Sequence, residues 1–425
     1  MVSGGQRAVA RCDEIGAAPF SDAPDMLFRT YLSPAYVATQ EKIAGWMREA
    51  GMSVRIDAAA NLIGRYEGWR EGAPLVIGSH IDSVRDAGRY DGPLGVMLGI
   101  EIVSALADAG KRPPYPIEVI AFGDEEGSRF PSSMLTSRAV AGTLDPAALA
   151  CVDAAGVTLE AALLGYRTAT EAWYHPMPGA PVYAGVADYA RARHPGARAY
   201  FEAHIEQGPV LEFSRLPIGV VTGIASQLRY HATVKGRAGH AGTTTMKLRS
   251  DALTAAAEMV LAAEEVARDA GNDVVATVGR LETRPGAPNV IPGQVDFTLD
   301  VRALDPVRRD ATAQAILDEF DAIAGRRRTP VTVELVNDLA GSPCDPDLMK
   351  LLGAAALQYG QPDFRLPSGA GHDAMTMAAL CPTAMLFIRC REGISHNPAE
   401  YVDPADAEIA LQVMLGFIDA LGEQV

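Results

Sequence analysis

Apolar residues recur along the chain in two spacings, and their alternation predicts the order of the secondary structure. Residues 33–50 carry apolar side chains at helical spacing and are followed by Gly51, which is typical of a helix stop. Short apolar runs follow at 74–78 and 117–122, and the apolar helical stretch 93–109 lies between them. Strands that alternate with helices in this way predict a mostly parallel α/β sheet.

The middle of the chain has a different pattern. Between residues 218 and 336 the predicted order is strand (228–234), helix (249–269), strand (273–281), strand (294–302), helix (305–324) and strand (330–336). This is the order of a ferredoxin-like α+β layer. A helix over 347–359 and a strand over 382–389 then resume the first pattern. We therefore predict one α/β domain, residues 1–217 and 337–425, interrupted by an inserted lid domain, residues 218–336.

Composition narrows the class of protein. The 425 residues include 37 Lys and Arg against 53 Asp and Glu, so the formal net charge is −16. This balance argues against nucleic-acid binding, which needs clustered basic residues. The longest apolar stretch carries Glu101 and Asp108, and the N-terminus has no apolar signal segment, so we expect neither a membrane span nor secretion. Five cysteines without C-x-x-C spacing favour reduced thiols and a cytoplasmic location.

Eight histidines are few enough to inspect one by one, and the first informative one is His80. It follows the predicted strand 74–78, where a buried strand would fix its position. Asp82 can orient its imidazole from behind, and Asp91 offers a carboxylate that could bridge two cations. Taken alone, His80 fits a structural histidine at a strand end as well as it fits a metal ligand.

Glu125 and Glu126 stand side by side at the exit of the strand 117–122. Adjacent glutamates repel one another and lose hydration there unless a cation compensates. One of them can bind a metal while the other acts as a base toward bound water. A solvated acidic turn is the structural alternative.

Two further histidines have acidic or strand-end neighbours. His204 and Glu206 alternate in a strand-like segment, so both can face one side. His396 follows the predicted strand 382–389, within a Gly-Ile-Ser-His-Asn-Pro turn. A half-exposed strand edge and an ordinary turn are the structural alternatives.

Taken together, these clusters supply imidazole and carboxylate groups but no thiolate. That donor set suits Zn, Mn, Co or Ni in a catalytic site. Two ions ~3.5–4 Å apart that share a carboxylate would activate a water and polarise a carbonyl. The remaining isolated histidines, which we expect to be structural or exposed, are His175, His194 and His231.

The motifs around these clusters carry a family resemblance. The sequence contains GSHIDSV, YDGPLG, DEEGSRF, EAHIEQGPVLE, GHAGTTTM, NVIPG with DVR, SGAGHDAM and GISHNPAE. It resembles the amidase/hydantoinase/carbamoylase branch of the dinuclear metallopeptidase superfamily, which includes aminoacylases. Within that branch it is most similar to allantoate amidohydrolases. The motifs run from Gly78 to Glu400 and so cover nearly the whole chain.

The resemblance implies a ligand set for two divalent metal ions. Asp91 would bridge the two ions. His80 and His204 would complete one site, and Glu126 and His396 would complete the other.

The resemblance also implies catalytic and substrate-binding roles. Glu125 would be the general base, and His240 of the inserted domain would reach the oxyanion from the neighbouring subunit of a homodimer. Asn289 and Arg302 match the residues that hold the substrate carboxylate, and Gln227 matches a substrate-contacting glutamine. The inserted domain would therefore serve as both lid and dimerisation domain.

His372, in the GAGHDA motif, matches a family histidine near the site, and we assign it to substrate binding. Three positions depart from the family pattern. Thr245 stands where the lid motif usually has Pro, Thr136 where Gly commonly precedes Ser, and Ser226 where Gly usually precedes Gln227. None removes a ligand or the base, but the last two bear on the shape of the substrate pocket.

The activity implied is metal-dependent hydrolysis of the ureido group of a small carboxylate. Zn and Mn are the first candidate metals, and Co and Ni are alternatives. Allantoate, with release of ammonia and carbon dioxide, is the first candidate substrate, and an N-carbamoyl-L-amino acid is the second. An aminoacylase or dipeptidase and an inactive binding paralogue are more remote alternatives.

Overall fold

The structure is a computed structural model, and it describes residues 2–176, 181, 183 and 185–424. The described chain forms two compact units. The large unit holds the residues up to Thr222, Cys344–Leu366 and the residues from Gly371 onward, and the small unit holds Gly223–Pro343 and Pro367–Ala370. The domain boundaries predicted at 217/218 and 336/337 stay predictions.

Helices and strands alternate along both ends of the chain. The described helices are α1 Gly4–Ile15, α2 Pro34–Glu49, α3 Pro93–Asp108, α4 Leu135–Ala141, α5 Leu159–Thr170, α6 Val210–Ser214, α7 Ala252–Ala270, α8 Pro306–Arg327, α9 Pro346–Gln358, α10 Asp373–Met377 and α11 Pro404–Gly422. The described strands are β1 Ser53–Ile56, β2 Leu62–Tyr66, β3 Leu75–His80, β4 Ile117–Phe122, β5 Ala199–Ile205, β6 Ile218–Ile224, β7 Ser226–Lys235, β8 Gly239–His240, β9 Val274–Thr277, β10 Leu281–Arg284, β11 Val290–Ile291, β12 Gln294–Ala303, β13 Val331–Leu339, β14 Ser342–Pro343, β15 Arg365–Ser368 and β16 Thr383–Ile388.

The large unit is built on a sheet whose strands follow the order β1-β2-β4-β3-β5-β16-β6. The central strands β4, β3, β5 and β16 are parallel, whereas β2 and β6 pair antiparallel at the two sides. All residues of β3, β4, β5 and β16 are buried, as expected for parallel strands covered on both faces. The predicted α/β fold with a mostly parallel sheet is confirmed.

Helix α3 packs closely on this sheet because the residue before it and one in its first turn lack a side chain. Gly92 precedes α3 with φ +84°, and a Cβ there would lie 2.5 Å from the His80 ring. A Cβ on Gly95 would lie 2.2 Å from the carbonyl oxygen of Ala203 in β5. Any larger residue at either position would displace the helix. The close contact fixes the position of Asp91, which stands directly before Gly92.

The small unit has an antiparallel sheet in the order β10-β12-β7-β13, with β9 paired to the other end of β12, and α7 and α8 pack against it. This arrangement confirms the predicted α+β insertion. Arg302 in β12 lies directly opposite Gln227 in β7. The single strand predicted over 273–281 is instead two strands, β9 and β10, and Gly279 lies in the break between them. None of the described helices combines the length and the apolar character needed to cross a bilayer.

Candidate metal centre

The carboxylate of Asp91 lies at the centre of the predicted ligand set. Its Oδ1 is 3.7 Å from Nε2 of His80 and 3.1 Å from Nε2 of His204, and its Oδ2 is 3.2 Å from Nε2 of His396. His396 Nε2 is also 3.5 Å from Oε1 of Glu126. Asp91 therefore belongs to two groups whose ligand-type atoms lie within 4.8 Å of one another. One group also contains His80 and His204, and the other contains Glu126 and His396.

The parallel sheet explains why side chains so distant in sequence meet. His80 is the last residue of β3, Glu126 follows β4, His204 lies in β5, and His396 follows β16. The carboxyl ends of neighbouring parallel strands meet at one edge, which is where such sheets bind ligands. The sheet thus delivers one candidate ligand from each of its four central strands.

The ring nitrogens of two histidines are oriented by backbone carbonyl groups. His80 Nδ1 lies 3.1 Å from the carbonyl oxygen of Asp82, and His204 Nδ1 lies 2.9 Å from that of Ile205. A carbonyl oxygen only accepts, so each Nδ1 carries a proton, and Nε2 is the ring nitrogen that faces Asp91. His204 Nε2 is buried and lies 3.1 Å from Oδ1 of Asp91 without the geometry of a hydrogen bond to any described residue. These features fit a divalent metal ion bound by imidazole and carboxylate.

The electrostatics of the cluster favour bound cations. Burial raises the pKa of Glu125 well above its usual value, although the nearby His80 opposes the shift. Burial, reinforced by the charge of Asp91, raises the pKa of Glu126 to about 7. The hydrogen bond to Asp91 raises the pKa of His396 to about 9. Buried carboxylates without enough positive charge around them produce shifts of these signs.

Asp82 organises the turn that carries the paired glutamates. Its carboxylate accepts hydrogen bonds from the backbone N–H groups of Glu125, at 3.2 Å, and Glu126, at 3.3 Å. The same carboxylate is 3.7 Å from Nδ1 of His80, farther than the backbone carbonyl oxygen of Asp82 itself. We predicted that the Asp82 side chain orients the His80 ring. The nearer contact to the ring is the backbone carbonyl oxygen of Asp82.

Comparison with known proteins places this geometry in a family. The model of peptidase family M20/M25/M40 matches residues 76–420. The chain belongs to this family. It is 44% identical to N-carbamoyl-L-amino acid amidohydrolase of Geobacillus stearothermophilus, with 88% of each chain covered. It is 39% identical to allantoate deiminase of Arabidopsis thaliana, with 97% of this chain and 82% of the plant protein covered.

A solved structure supports the same placement. The crystal structure of a hydantoinase/carbamoylase family amidase from Burkholderia multivorans is 34% identical, has a TM-score of 0.86, and is matched over 98% of this chain and 97% of that one. The predicted resemblance to the amidase/hydantoinase/carbamoylase branch is therefore confirmed. The predicted enzyme class, an amidohydrolase that acts on C–N bonds other than peptide bonds, is confirmed with it.

His372 packs against a candidate ligand of this M20/M25/M40 enzyme. Its ring is 4.4 Å from the His204 ring, edge to face, and 5.7 Å from the Phe387 ring. It is 1% exposed, and burial lowers its pKa well below the usual value. It is thus a neutral ring that supports His204, and its predicted contact with substrate stays a prediction.

Glu202 is a buried residue of the site to which the sequence pattern gave no role. Its carboxylate accepts hydrogen bonds from Ser79 Oγ at 2.9 Å, Tyr200 Oη at 3.1 Å and the Ala374 amide at 2.8 Å. With its oxygens occupied in this way, it ties β3 and β5 to α10, which follows His372. Its spacing of two residues from His204 on one strand was the available signal.

Glu206 lies outside the cluster although it shares a motif with His204. Its carboxylate accepts hydrogen bonds from the backbone N–H groups of Val210, at 2.7 Å, and Leu211, at 2.8 Å. These are the first N–H groups of α6. Glu206 therefore caps a helix, which is a structural role.

Glu400, the last residue of the GISHNPAE motif, holds the backbone on which Asp91 stands. Its Oε1 accepts hydrogen bonds from the amides of Tyr90, at 2.7 Å, and Asp91, at 3.1 Å. A Cβ on Gly88 would lie 2.2 Å from the Glu400 carboxyl carbon, so that glycine makes room for the contact. The motif position was the only sequence signal for this role.

In the small unit, Asp300 joins two residues that we predicted to bind substrate. It accepts from Nε of Arg302 at 2.8 Å and from Nη2 at 3.3 Å, and the side-chain amide of Gln227 also donates to it. Arg302 Nη1 donates to the carbonyl oxygen of Gly369 at 2.6 Å. Three of the five N–H groups of Arg302 are therefore used by described residues, and two at the Nη1 and Nη2 end can bind an anion.

His240 and Asn289 also lie together in the small unit. The short strands β8 and β11 pair His240 with Val290, and the amide of Ala241 donates to the carbonyl oxygen of Asn289 at 3.0 Å. Nδ1 of His240 accepts from the Gly242 amide at 3.1 Å. Because Nδ1 accepts, Nε2 of the exposed ring carries the proton and can donate a hydrogen bond.

Two of the departures from the family pattern place a hydroxyl on the backbone. Thr136 Oγ1 accepts from the Gly123 amide at 3.0 Å and donates to the Gly123 carbonyl oxygen at 2.7 Å. Ser226 Oγ donates to the carbonyl oxygen of Ala303 at 2.7 Å. The backbone groups that these hydroxyls contact are close in sequence to predicted site residues. Gly123 is two residues before Glu125, and Ala303 follows Arg302. Thr245, the third departure, precedes a short 3₁₀ turn.

The three histidines expected to be structural or exposed lie outside the cluster. His175 and His231 are exposed. His194 is buried, and its Nε2 lies 3.2 Å from the Glu118 carboxylate. Glu118 stands in β4 at the end of the strand opposite to Glu125.

Proposed function

We propose that this protein hydrolyses the ureido group of a small carboxylate at a dinuclear metal centre. The observation that carries the proposal is the convergence of three imidazoles and Glu126 on Asp91, with Glu125 beside them. The five converging side chains would hold the two ions, with Asp91 as the bridge. Mn²⁺ and Zn²⁺ are the first candidates, because this donor set has no thiolate.

The chemistry divides between the metal pair and Glu125. When bound, two divalent ions polarise the ureido carbonyl and lower the pKa of a water toward ~7. Glu125 takes the proton from the attacking water, since it lies in one group with His80 and Glu126. A buried carboxyl with a raised pKa can hold that proton and return it to the departing nitrogen.

Residues of the small unit would bind the substrate. Arg302 would hold the substrate carboxylate through the two N–H groups at its Nη1 and Nη2 end, a bidentate geometry that Lys lacks. Asn289 would assist it. His240 would donate its Nε2 proton in a hydrogen bond to the developing oxyanion, acting from the neighbouring subunit of a homodimer.

Allantoate is the first candidate substrate, and Gln227 is the residue that bears on this choice. Allantoate carries two ureido groups on one carbon, so a polar side chain must face the second group. A site built to pair a polar group can reject an analogue without it by ~10⁴-fold. An N-carbamoyl-L-amino acid is the second candidate, and the 44% identity to a bacterial enzyme named for that activity favours it.

The five cysteines are free, which supports a cytoplasmic location.

The proposal is tested by ammonia release. Metal-stripped protein is supplied with Mn²⁺ or Zn²⁺ and compared on allantoate and on a series of N-carbamoyl-L-amino acids, with Glu125→Gln as the inactive control. We expect metal-dependent turnover of at least one class and no turnover by the control. Metal-loaded wild-type protein that is inert toward both classes contradicts the proposed function. Turnover of N-carbamoyl amino acids alone selects the second substrate.

A further inference from the structure

The Oδ2 atom of Asp91 receives two hydrogen bonds from residues outside the proposed ligand set. Gln207 Nε2 donates to it at 2.9 Å, and Ser395 Oγ donates to it at 2.5 Å. Gln207 Nε2 is also 3.3 Å from Ser395 Oγ, so the two donors contact each other. Oδ1, in contrast, faces the imidazoles of His80 and His204. The two oxygens of the carboxylate are therefore held in different ways.

The backbone is arranged to bring these two donors together. Gln207 has φ +57° and His396 has φ +55°, both in the left-handed region that non-glycine residues rarely adopt. Gly393 has φ +65°, and a Cβ there would lie 2.5 Å from the Gly208 carbonyl carbon. The segment after His204 and the segment before His396 thus touch through their backbones. Unfavourable backbone conformations persist where the surrounding structure holds them in place.

The carboxylate needs such donors because its own torsion is soft. Glu400 fixes the Asp91 amide, but it does not fix rotation about Cβ–Cγ, and the χ2 distribution of Asp is broad. A bridging carboxylate must point one oxygen at each ion. A rotation of Asp91 that moves Oδ2 away from His396 also turns Oδ1 away from His80 and His204.

We propose that Gln207 and Ser395 are positioning residues that hold the Asp91 carboxylate in its bridging orientation and so set the affinity for the second metal ion. The inference rests on the proposed function, since it assumes two bound ions. The site that Asp91 Oδ2, Glu126 and His396 would form for the second ion would depend most on these donors. Partners of this kind typically contribute ~10–100-fold to metal affinity when they hold a ligand in place.

The test is a metal titration that does not depend on turnover. Metal-stripped protein is titrated with Mn²⁺, and free Mn²⁺ is followed by electron paramagnetic resonance. The variants are Ser395→Ala, Gln207→Leu and Ser395→Thr, which keeps the hydroxyl. Ser128→Ala is the matched control, because the Ser128 hydroxyl donates to a backbone carbonyl, that of Ser83. Circular dichroism before metal addition verifies that each variant is folded.

We expect wild type, Ser128→Ala and Ser395→Thr each to bind two Mn²⁺. The affinity of each site should be the same in all three proteins. Ser395→Ala and Gln207→Leu should bind one Mn²⁺ normally and the second ~10–100-fold more weakly. Two unchanged affinities in Ser395→Ala overturn the inference and leave the proposed function intact. Wild-type protein that binds fewer than two ions overturns both. Ser395 is only partly buried, so its variant decides the matter if Gln207→Leu fails to fold.

Discussion

The carboxylate of Asp82 accepts a hydrogen bond from the backbone N–H of Glu125 over 3.2 Å. Its second oxygen accepts from the next amide, that of Glu126, over 3.3 Å. One fully buried side chain therefore shapes the turn that carries both the candidate base and a candidate ligand. Because His80 stands two residues before Asp82, the same loop also connects this turn to a candidate ligand at the end of β3.

Asp82→Asn tests that relationship. The amide group keeps the size of the side chain but turns an N–H₂ group toward one of the two backbone donors, so one hydrogen bond is lost. We expect metal affinity to fall ~10–100-fold. The measurement is a Mn²⁺ titration of the folded, metal-stripped variant. Asp86→Asn, at an exposed position of the same loop, is the control, and equal affinities in the two variants would contradict the assignment.

Glu125 and Glu126 are adjacent in sequence, yet we predict different effects for their amide variants. Glu125→Gln should bind two metal ions and lose nearly all turnover, because only the proton acceptor is gone. Glu126→Gln should lose one of the two ions, because it removes a charged ligand beside His396. Metal content of the purified variants and kcat on the best ureido substrate measure both effects. Wild-type kcat in Glu125→Gln would refute its role as the base.

The sequence pattern predicts the parts of the site that local order determines. The apolar runs 74–78 and 117–122 are each followed at once by polar residues, which include His80 after the first run and Glu125 after the second. Because parallel strands share one carboxyl edge, the order of elements alone brings these two clusters together. The assignment of Asp91 as the common ligand came from the family resemblance, since spacing alone leaves its partners open.

The contacts that orient these ligands could not be predicted in the same way. Ser395 and Gln207 reach Asp91 from 304 and 116 residues away, and no periodicity encodes which hydroxyl or amide meets a given carboxylate. Helix α1 was missed for a related reason. Its first residues are Gly4 and Gly5, which usually disfavour a helix. A Cβ on Gly5 would lie 2.2 Å from the Glu408 amide in α11, so packing requires this glycine.

Arg302→Ala should weaken the enzyme most on charged substrates. Loss of a charge-assisted pair of ~1.5–3 kcal/mol corresponds to roughly 10–100-fold in kcat/KM for a ureido carboxylate. The carboxamide of the same substrate should be far less affected, and Arg302→Lys should not restore the acid because it lacks the bidentate fork. Arg284→Ala is the control, since Arg284 pairs with Asp296 elsewhere on β12. An equal loss on acid and amide would remove Arg302 from carboxylate binding.

His240 provides a test of the proposed homodimer. If its ring acts at the centre of the neighbouring subunit, His240→Ala and Glu125→Gln inactivate different halves of each composite site. A hybrid dimer of the two variants then contains one site with both residues intact. We expect mixed protein to recover part of the wild-type activity after subunit exchange, which differently tagged subunits can verify. Exchange without recovery argues against a shared site.

Acid stability tests a part of the large unit that is remote from the catalytic proposal. Burial alone would raise the pKa of Glu118, but its hydrogen bonds with His194 and Arg65 and the charge of Arg55 lower it from 4.5 to about 2. The side chain is 4% exposed. A carboxyl whose pKa is depressed by folding stabilises the native state above its unfolded pKa and loses that contribution as the pH falls toward the folded pKa.

The window for this loss therefore runs from about 4.5 down to about 2. The difference corresponds to a stabilisation on the order of 3 kcal/mol near neutral pH. Glu118→Gln should lower the free energy of unfolding near neutral pH and reduce its dependence on pH across that window. Urea unfolding at a series of pH values measures both quantities. Glu67→Gln is the control, because Glu67 also pairs with Arg65 but is 58% exposed. Parallel pH curves for Glu118→Gln and wild type would show that the buried carboxylate does not contribute to acid sensitivity.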